Sequence, residues 1–537
     1  MRRIATAAAL IAVLTVASRV AGFARTVVFA WAIGATDLGD IYLVANTIPN
    51  IIFEIVAGGA LAGLVVPLLA GPVDRGDRTS VDATTSALLT WTLCLLVPAA
   101  ALVALFAGPI IGALAAGSAP DQIETGVRML WVFAPQLPLY GIGIVLTGVL
   151  QAHHRFAWPV LAPLLSSLTV IGAYLTFAAV AGRGAPIATV GIPGELILSV
   201  GTTLGVAVLS LCLLIPLRGL ALRPRPSLHF PPGVRRTAGG LALAGAVTVA
   251  AQQLALLVVL RLAMAGPEGS LVLLNLAQAI FLLPWAVLAV PVAVAAYPTL
   301  AAAGARGDSG VYAPTLAGAV RGVLLLSSLG AAALIALAVP AAEFLVTTMP
   351  ATGSPDTGVL AGAIAGFAPG LVGYGLFAVL TRALYARGDT VAAVVSTVVG
   401  WAAVMLAALS LAATLAADRR AVALAIANTV GMTVLGAAML GTVARRAGRA
   451  ALAGAGRAGL AGFVAAVVAA AAGLGIVALA DSTQTATPSV GGSLVPGMLS
   501  GVTVVAVFLG VAYLADRRDL APVIAGLRRR IRGKERA

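Results

Sequence analysis

The sequence predicts an all-α polytopic membrane protein with fourteen transmembrane helices. Of its 537 residues, 61% are hydrophobic and only 10% are charged, and the mean hydropathy is +1.06. An ordinary soluble domain carries about 25% charged residues. The apolar residues form long unbroken runs, which favour helices over the ten-residue alternation of a transmembrane barrel. The cationic residues are concentrated in alternate loops, as the positive-inside rule requires.

The apolar runs divide into segments long enough to cross a bilayer. Crossing ~30 Å of hydrocarbon takes about 20 helical residues. The first run is too long for the apolar region of a cleaved signal peptide. The fourteen predicted spans are 5–33, 39–70, 83–107, 123–149, 158–180, 194–216, 238–263, 271–300, 315–339, 358–384, 390–415, 421–443, 457–480 and 495–516.

The net charge of +14 is explained by topology. With the N-terminus inside, 24 of the 33 cationic residues face the cytoplasm, three face outside and six lie within spans. This asymmetry predicts a multi-pass plasma-membrane protein with both termini cytoplasmic. The tail, 517–537, holds eight of these cations. Its apolar positions recur at helical spacing, so the tail is a candidate for binding anionic lipids of the inner leaflet. The alternative is that its cations serve only to keep this end of the chain in the cytoplasm. No nucleic-acid partner is expected.

Two segments of the chain resemble each other at corresponding places. Pro135-Gln-Leu-Pro-Leu-Tyr-Gly-Ile-Gly143 is similar to Pro369-Gly-Leu-Val-Gly-Tyr-Gly375. Both segments run outside to inside, which predicts a parallel repeat of two six-helix lobes around a central cavity, plus two C-terminal helices. The alternative is a chance match of Gly- and Ala-rich segments. The predicted domains are an N-terminal lobe 1–216, a cytoplasmic linker 217–237, a C-terminal lobe 238–443, two further helices within 444–516 and the basic tail 517–537.

Polar residues inside the first two spans are the candidate binding residues. Ionisable groups in a membrane interior are costly and should face a cavity or a partner. Two arginines of the first span suit a diphosphate, because the guanidinium fork binds phosphate oxygens bidentately and stays protonated. The alternative is a pair of structural ion pairs with acidic residues of the second span. The candidate substrate-binding residues are Arg19, Arg25, Asp40, Asn46, Asn50, Glu54 and Arg382.

The sequence offers no set of residues for catalysis or metal binding. Cys94 and Cys212 lie in separate apolar runs, and the three histidines are few and scattered, which excludes a zinc site or disulfide framework. No acid, base and nucleophile can be named together. We therefore expect neither an enzyme, nor a cofactor, nor a metal site.

Four motifs together resemble the MurJ (MviN) family of lipid II flippases, in the multidrug/oligosaccharidyl-lipid/polysaccharide exporter superfamily. The motifs are Ser18-Arg-Val-Ala-Gly-Phe-Ala-Arg25, Val44-Ala-Asn-Thr-Ile-Pro-Asn50, His154-Arg-Phe-Ala-Trp-Pro-Val-Leu-Ala-Pro163 and Arg382-Ala-Leu-Tyr-Ala-Arg-Gly-Asp-Thr390. The resemblance implies that lipid-linked peptidoglycan precursor moves from the inner to the outer leaflet of a bacterial plasma membrane by alternating access. It also implies a cationic cavity that includes Arg19 and Arg25, with Asp40 at the matching acidic position. Cell-wall synthesis proteins are further candidate partners.

The chain departs from that family pattern at several positions. Phe53 and Glu54 stand where the family typically has two arginines, and Ala279 replaces an expected arginine. Residues 391–417 contain no Asp, Asn or Glu, so the sodium site described for some relatives is not expected. These departures keep two alternatives open: an exporter of another polyprenyl-diphosphate glycan or small amphiphile, and a non-transporting membrane scaffold in cell-wall assembly.

Overall fold

A computed structural model describes residues 2–55, 62–220, 222, 225–229, 234–350, 356–483 and 490–515, and every regular element among them is helical. The chain divides into two compact units: residues 1–272 with 349–354, and residues 273–348 with 355–537. The predicted basic tail 517–537 and parts of the predicted linker 217–237 lie outside the described residues. The predicted domain boundaries remain a prediction.

The first unit contains eleven described helices and the start of a twelfth. They are α1 Arg2–Ala32, α2 Asp37–Phe53, α3 Ala62–Asp74, α4 Arg78–Leu105, α5 Ala107–Leu114, α6 Pro120–Phe133, α7 Gln136–Ala152, α8 Ala157–Val180, α9 Ile187–Leu211, α10 Leu214–Leu217, α11 Val234–Met264 and, beginning in this unit, α12 Ser270–Pro284.

The second unit holds the rest of α12 and nine further described helices. They are α13 Val290–Arg306, α14 Ser309–Ala336, α15 Ala338–Thr348, α16 Thr357–Phe367, α17 Gly370–Ala386, α18 Thr390–Thr414, α19 Arg420–Arg446, α20 Ala455–Thr483 and α21 Val490–Ala515.

The membrane-protein class is confirmed, and the exact number of spans is not. Thirteen helical segments of the described chain are long and apolar enough to cross a membrane. The predicted second span, 39–70, is described as two shorter helices, α2 and α3, on either side of residues outside the described set. Each of these two helices is shorter than the about 20 residues that a straight crossing needs.

The repeated proline segments mark the same break in each unit. The predicted fourth span divides into α6 and α7 at Pro135, and the predicted tenth span divides into α16 and α17 at Pro369. Proline lacks the N–H that would continue the hydrogen-bond ladder, and its ring clashes with the preceding turn. The short helices α5 and α15 also occupy matching places before these breaks. The repeat seen in the sequence therefore has a structural counterpart.

The predicted second and eighth spans are also interrupted at matching places. Helix α2 carries Pro49 internally and ends at Phe53, where a π-type turn begins at Glu54. Helix α12 ends at Pro284 and continues into α13 through a π-helical segment, Trp285–Ala289. Such π segments and prolines interrupt regular helices and are frequent at functional sites. Discontinuous helices at corresponding places in two repeats are typical of secondary transporters.

Small residues allow close helix packing inside each unit. In the first unit, a Cβ at Gly205 of α9 would overlap Val170 of α8. In the second, a Cβ at Gly373 of α17 would overlap the backbone carbonyl of Met432 in α19. Membrane helices gain stability from such close backbone approach, since lipid supplies little hydrophobic drive for helix association. These contacts hold rigid bundles in which polar side chains can be positioned.

Part of the predicted linker lies along α4. The backbone N–H of Arg225 donates to the hydroxyl of Ser86 at 2.9 Å, and that of Ser227 donates to Thr90 at 3.0 Å. The indole N–H of Trp91 donates to the carbonyl of Leu228 at 3.0 Å. These three hydrogen bonds satisfy backbone groups of an extended segment that forms no secondary structure of its own.

Candidate functional site

The two arginines of α1 are not paired with any described acidic side chain. Arg19 is exposed and Arg25 is partly buried. Six residues separate them, which places them about 9 Å apart along the helix and about 120° apart around it. Helix α1 runs unbroken through Gly22. Among the described side chains, the salt bridges involve other arginines, so the predicted alternative of structural pairs with Asp40 and Glu54 is not observed.

Arg25 and Glu54 have a tyrosine of the repeat motif as a common neighbour. Tyr140 of α7 interacts electrostatically with both side chains. The ring of Phe53 lies 4.4 Å from that of Tyr140, centroid to centroid, with the planes inclined by 33°. The C-terminal end of α2 therefore packs against α7 through Phe53 and Tyr140. This region combines a cation, a carboxylate and an aromatic pair, and two predicted site residues, Arg25 and Glu54, contribute to it.

The amide residues of α2 lie on one side of the helix near Pro49. Asn50 donates from its side chain to the backbone carbonyl of Asn46 at 2.8 Å. The side-chain oxygen of Asn46 is buried and has no hydrogen-bond partner among the described atoms. An unsatisfied buried acceptor costs about 1–3 kcal/mol. Asn46 is consequently the predicted site residue with a free acceptor available to a hydroxyl or amide donor.

Asp40 makes a backbone contact at the start of α12. Its two carboxylate oxygens accept hydrogen bonds from the backbone N–H groups of Gly269, at 2.8 Å, and Val272, at 3.0 Å. Only 3% of its surface is exposed. The first N–H groups of a helix have no partner inside it, so a carboxylate is stabilising there. The observed role of Asp40 is a helix cap, and a substrate contact would require these bonds to open.

The glycine in that turn permits the contact. Gly269 has a φ of 80°, and a Cβ at this position would lie 2.5 Å from the Cβ of Ala35. The preceding residue, Glu268, accepts a hydrogen bond from the backbone N–H of Asp37 at 2.9 Å. The two capping contacts are therefore reciprocal. Asp40, in α2, caps the start of α12, and Glu268, just before α12, accepts from the first N–H of α2.

Arg382 belongs to the second unit. Its guanidinium donates to the backbone carbonyl of Ala378, one turn earlier in α17, at 2.7 Å. The same helix carries Tyr374, whose ring stacks on Trp285 with centroids 4.8 Å apart. Tyr374 occupies the place in the second repeat motif that Tyr140 occupies in the first. In each unit, the tyrosine of the repeat motif therefore packs against an aromatic ring at a helix interruption. The pairs are Tyr140 with Phe53 and Tyr374 with Trp285.

Arg128 forms an ion-pair cluster that the sequence reasoning missed. We expect an arginine near a span end to extend toward the membrane surface. Instead Arg128 of α6 makes two hydrogen bonds to the buried carboxylate of Glu195 in α9, at 2.7 and 2.8 Å. It also contacts Glu124 at 2.7 Å and Thr125 at 3.0 Å. No local signal pairs these residues, because Glu195 lies 67 positions further along the chain.

A buried hydroxyl cluster lies close to Arg25. The hydroxyl of Tyr42 is 2.9 Å from that of Tyr174 and 2.6 Å from that of Thr202. Both tyrosines interact electrostatically with Arg25. Phe29 packs against both rings, with centroids 5.2 and 5.4 Å away. These aromatic side chains connect α1, α2 and α8, and the hydroxyl of Thr202 adds α9.

Metal coordination has no candidate in the described part of the chain. No group of three or more His, Cys, Asp or Glu side chains there could hold an ion. The described polar residues of the site are arginines, amides, hydroxyl groups and the carboxylates of Asp40 and Glu54. Such groups bind an anionic or glycan-like ligand by hydrogen bonding.

The fold and these residues define a multi-pass membrane protein of the transporter class. Its helices repeat in two halves with matching interruptions, and cationic groups lie inside a membrane-spanning helix. A family model described as "Lipid II flippase MurJ" matches residues 29–499. The chain belongs to the lipid II flippase MurJ family.

Curated relatives agree with this assignment. The chain is 29% identical over 399 residues to a protein named lipid II flippase MurJ from Burkholderia cenocepacia, covering 70% of this chain and 72% of the relative. It is 28% identical over 442 residues to a probable lipid II flippase MurJ from Rhizobium meliloti, covering 79% and 78%.

Solved structures show the same fold at lower identity. A lipid II flippase MurJ in an inward closed conformation matches with a TM-score of 0.71 and 19% identity, covering 94% of this chain and 98% of that one. An inward-facing multidrug resistance MATE family transporter of the MOP superfamily matches with a TM-score of 0.65 and 17% identity, covering 81% and 98%. The all-helical transporter fold predicted from the sequence is confirmed.

Proposed function

We propose that this protein is a flippase that moves lipid II, the lipid-linked peptidoglycan precursor, from the inner to the outer leaflet by alternating access. The family assignment and the curated relatives named for this activity support the proposal. A fold similar to that of solved MurJ and MATE proteins suits a transport cycle with alternately exposed states.

The proposed mechanism separates the two chemically different parts of the substrate. A diphosphate glycan headgroup cannot cross hydrocarbon, because burying a charged group without partners is very costly. Arg19 and Arg25 would hold the diphosphate by charge-assisted hydrogen bonds, while the polyprenyl chain remains in lipid. The amides Asn46 and Asn50 would contact sugar or peptide groups. Glu54 and Arg382 would border the site, and Asp40 would fix α2 to the start of α12.

The observation that carries the proposal is the absence of an acidic partner for Arg19 and Arg25 among the described residues. No described carboxylate forms an ion pair with either arginine. A charged side chain inside a membrane protein requires a partner or water. An anionic headgroup supplies that partner and explains why two arginines are retained in an otherwise apolar helix.

The test is rescue of a bacterium depleted of its own lipid II flippase. The wild-type chain should restore growth and normal cell shape. Arg25→Ala should abolish rescue, because Arg25 is partly buried beside Tyr42 and Tyr140 and no neighbouring described cation replaces it. Arg25→Lys should rescue partially, since lysine retains the charge but lacks the bidentate fork.

The matched control is Arg306→Ala, which removes an exposed cation at the end of α13. This variant should rescue fully. Membrane abundance of every variant is measured by quantitative immunoblot, so that loss of function is separated from loss of protein. Full rescue by Arg25→Ala and by Arg19→Ala at normal abundance would contradict the proposed role of the arginines.

Glu54 favours a second candidate, an exporter of another polyprenyl-diphosphate glycan or a small amphiphile. It is exposed in the structure, where the family resemblance implies a cation. A carboxylate at this place would select against part of an anionic headgroup or would bind a cationic group. Rescue that fails with the wild-type chain but is restored by Glu54→Arg would support this candidate over lipid II. A non-transporting scaffold would lose no function in the Arg25→Ala variant.

The proposed topology places both termini in the cytoplasm of a bacterial plasma membrane. The proposed domains are two lobes joined by a cytoplasmic linker, followed by two further helices and a lipid-binding tail. Their bounds are 1–216 and 238–443 for the lobes, 217–237 for the linker, 444–516 for the helices and 517–537 for the tail. Anionic lipids and cell-wall synthesis proteins are the proposed additional partners. Cysteine accessibility at residues 225–229 tests the orientation, and labelling of these residues from outside would overturn it.

A further inference from the structure

A small cavity with a basic rim lies in the first unit, where the α3–α4 turn, the α7–α8 turn and residues 219–222 come together. Its volume is about 230 Å³, well above the about 10–15 Å³ that one water molecule requires. Arg78 of α4 and His153, at the turn between α7 and α8, contribute the charged side of its lining. Gly76 and Gly219 also line the cavity, and the guanidinium of Arg155 lies 3.2 Å from the place that a Cβ of Gly219 would take.

The opposite side of the cavity is apolar. Val73 and Leu222 line it and also pack against the hydrophobic core formed by α3, α4 and α7. The cavity therefore joins a cationic rim to an apolar floor. A phosphate ester on a hydrophobic molecule has the same distribution of polarity, whereas a free inorganic ion would leave the apolar floor unused.

The walls of the cavity are held in place by contacts that do not require a ligand. The Nδ1–H of His153 donates to the carbonyl oxygen of Val149 at 2.8 Å, which orients the ring. Nε2 is then the ring nitrogen that faces a ligand, and it donates to an anion when it also carries a proton. Arg155 donates to the carbonyl of Pro216 at 2.7 Å, next to Gly219. Further along, the hydrogen bonds of residues 225–228 hold the linker against α4. A pre-formed site loses less entropy when a ligand binds.

Acidic residues near the cavity do not occupy its lining. The carboxylate of Asp77 accepts hydrogen bonds from the backbone N–H of Ser80 at 3.0 Å and from the Ser80 hydroxyl at 2.6 Å. It is thereby committed to the first turn of α4. Neither Asp74 nor Asp82 lines the cavity. The basic residues that do line it are Arg78 and His153; the guanidinium carries a permanent positive charge, and the imidazole adds a ring N–H donor when that nitrogen is protonated.

We propose that this cavity binds the phosphate group of an anionic membrane lipid. Arg78 and His153 would contact the phosphate oxygens, and the start of the acyl-bearing portion would pack on Val73 and Leu222. The charge distribution of the sequence predicts that this end of the unit faces the cytoplasm, where anionic headgroups attract juxtamembrane cations. A bound headgroup would connect α4, the α7–α8 turn and the first residues of the linker.

The test measures lipid binding to the purified full-length protein in neutral detergent. Native mass spectrometry gives the affinity for phosphatidylglycerol, with phosphatidylcholine as the uncharged-headgroup comparison and inorganic phosphate as a competitor. The double variant Arg78→Gln with His153→Gln should weaken phosphatidylglycerol binding about tenfold, the effect of removing one or two charge-assisted hydrogen bonds. Binding of phosphatidylcholine should be unchanged.

The matched control removes the adjacent charges that do not line the cavity, Arg75→Gln with His154→Asn. Asparagine is used because His154 has a φ of 58°, which asparagine tolerates. This control should alter binding by less than about twofold, because neither side chain lines the cavity and surface charges outside a site contribute little. Equal losses in both double variants would overturn the proposal. So would equal affinity for the two lipids, or binding of inorganic phosphate that phosphatidylglycerol does not displace.

Discussion

Replacing Asp40 by alanine should destabilise the first unit by about 2–4 kcal/mol. The side chain is buried and accepts two backbone hydrogen bonds, from Gly269 and Val272. Hydrogen bonds to a charged group contribute about 1.5–3 kcal/mol each, and loss of a helix cap alone costs about 0.5–2 kcal/mol. The two bonds share one carboxylate, so the effects are not fully additive.

Asp40→Asn should have a smaller effect, about 1–2 kcal/mol. The amide retains one oxygen acceptor but turns an NH₂ group toward the other backbone N–H. The assay is equilibrium unfolding in mixed detergent micelles, followed by the fluorescence of a label placed at Cys212. Asp121→Asn, at an exposed first-turn carboxylate of α6, is the control and should change stability by less than about 0.5 kcal/mol.

The reasoning about the cap would be refuted by an Asp40→Ala protein as stable as the control variant. It would also be refuted if Asp40→Asn were more destabilising than Asp40→Ala. Either result would mean that the amides of Gly269 and Val272 find other partners when the carboxylate is lost.

Two further predictions concern other acidic residues. Glu195→Gln should destabilise the protein by about 2 kcal/mol in the same unfolding assay, because it weakens a bidentate ion pair with Arg128 that is only partly exposed. The control is Glu124→Gln, at the exposed partner of Arg128, which should have almost no effect on stability. Equal destabilisation by the two substitutions would contradict the ion pair with Glu195. At Asp77, the hydrogen bonds from Ser80 hold the pKa of the carboxyl below its usual value of 3.8. The ionised Asp77 carboxylate therefore stabilises the folded protein above its unfolded-state pKa, and this stabilisation is lost as the pH falls through the lower pKa of the folded state. On acidification, the Asp77→Ala variant should lose less stability than the wild type. Equal losses of stability in the two proteins would contradict the role given to Asp77.

The sequence predicts those parts of the fold that depend on local composition. Hydropathy defines the spans, but 123–149 and 358–384 were each predicted as one span, and the structure divides them at Pro135 and Pro369. The chemistry of proline explains these breaks once they are observed. Within the predicted second span, 39–70, the structure describes α2 and α3, and residues 56–61 between them lie outside the described set. Pro49 was the local signal for an interruption, but hydropathy alone does not reveal where a helix with continuous apolar character ends.

Long-range pairings could not be read from the sequence. Asp40 lies 229 residues before Gly269, and no periodicity connects them. The sequence identified Asp40 as a rare carboxylate in an apolar span but could not distinguish a ligand contact from a helix cap. Arg25 and Tyr140 were each noticed, one as a deep cation and one within a repeat motif. Their proximity required the packing of α1, α2 and α7.

Direct measurement of lipid II in the outer leaflet tests the central claim most directly. Cells depleted of their own flippase would express this chain at a matched level, and externally accessible lipid II would be quantified with a membrane-impermeant enzyme that cleaves its headgroup. The account predicts accessible lipid II with the wild-type chain and with Arg306→Ala, and almost none with Arg19→Ala and Arg25→Ala combined. Accessible lipid II at wild-type levels in the double variant, or none with the wild-type chain, would contradict it.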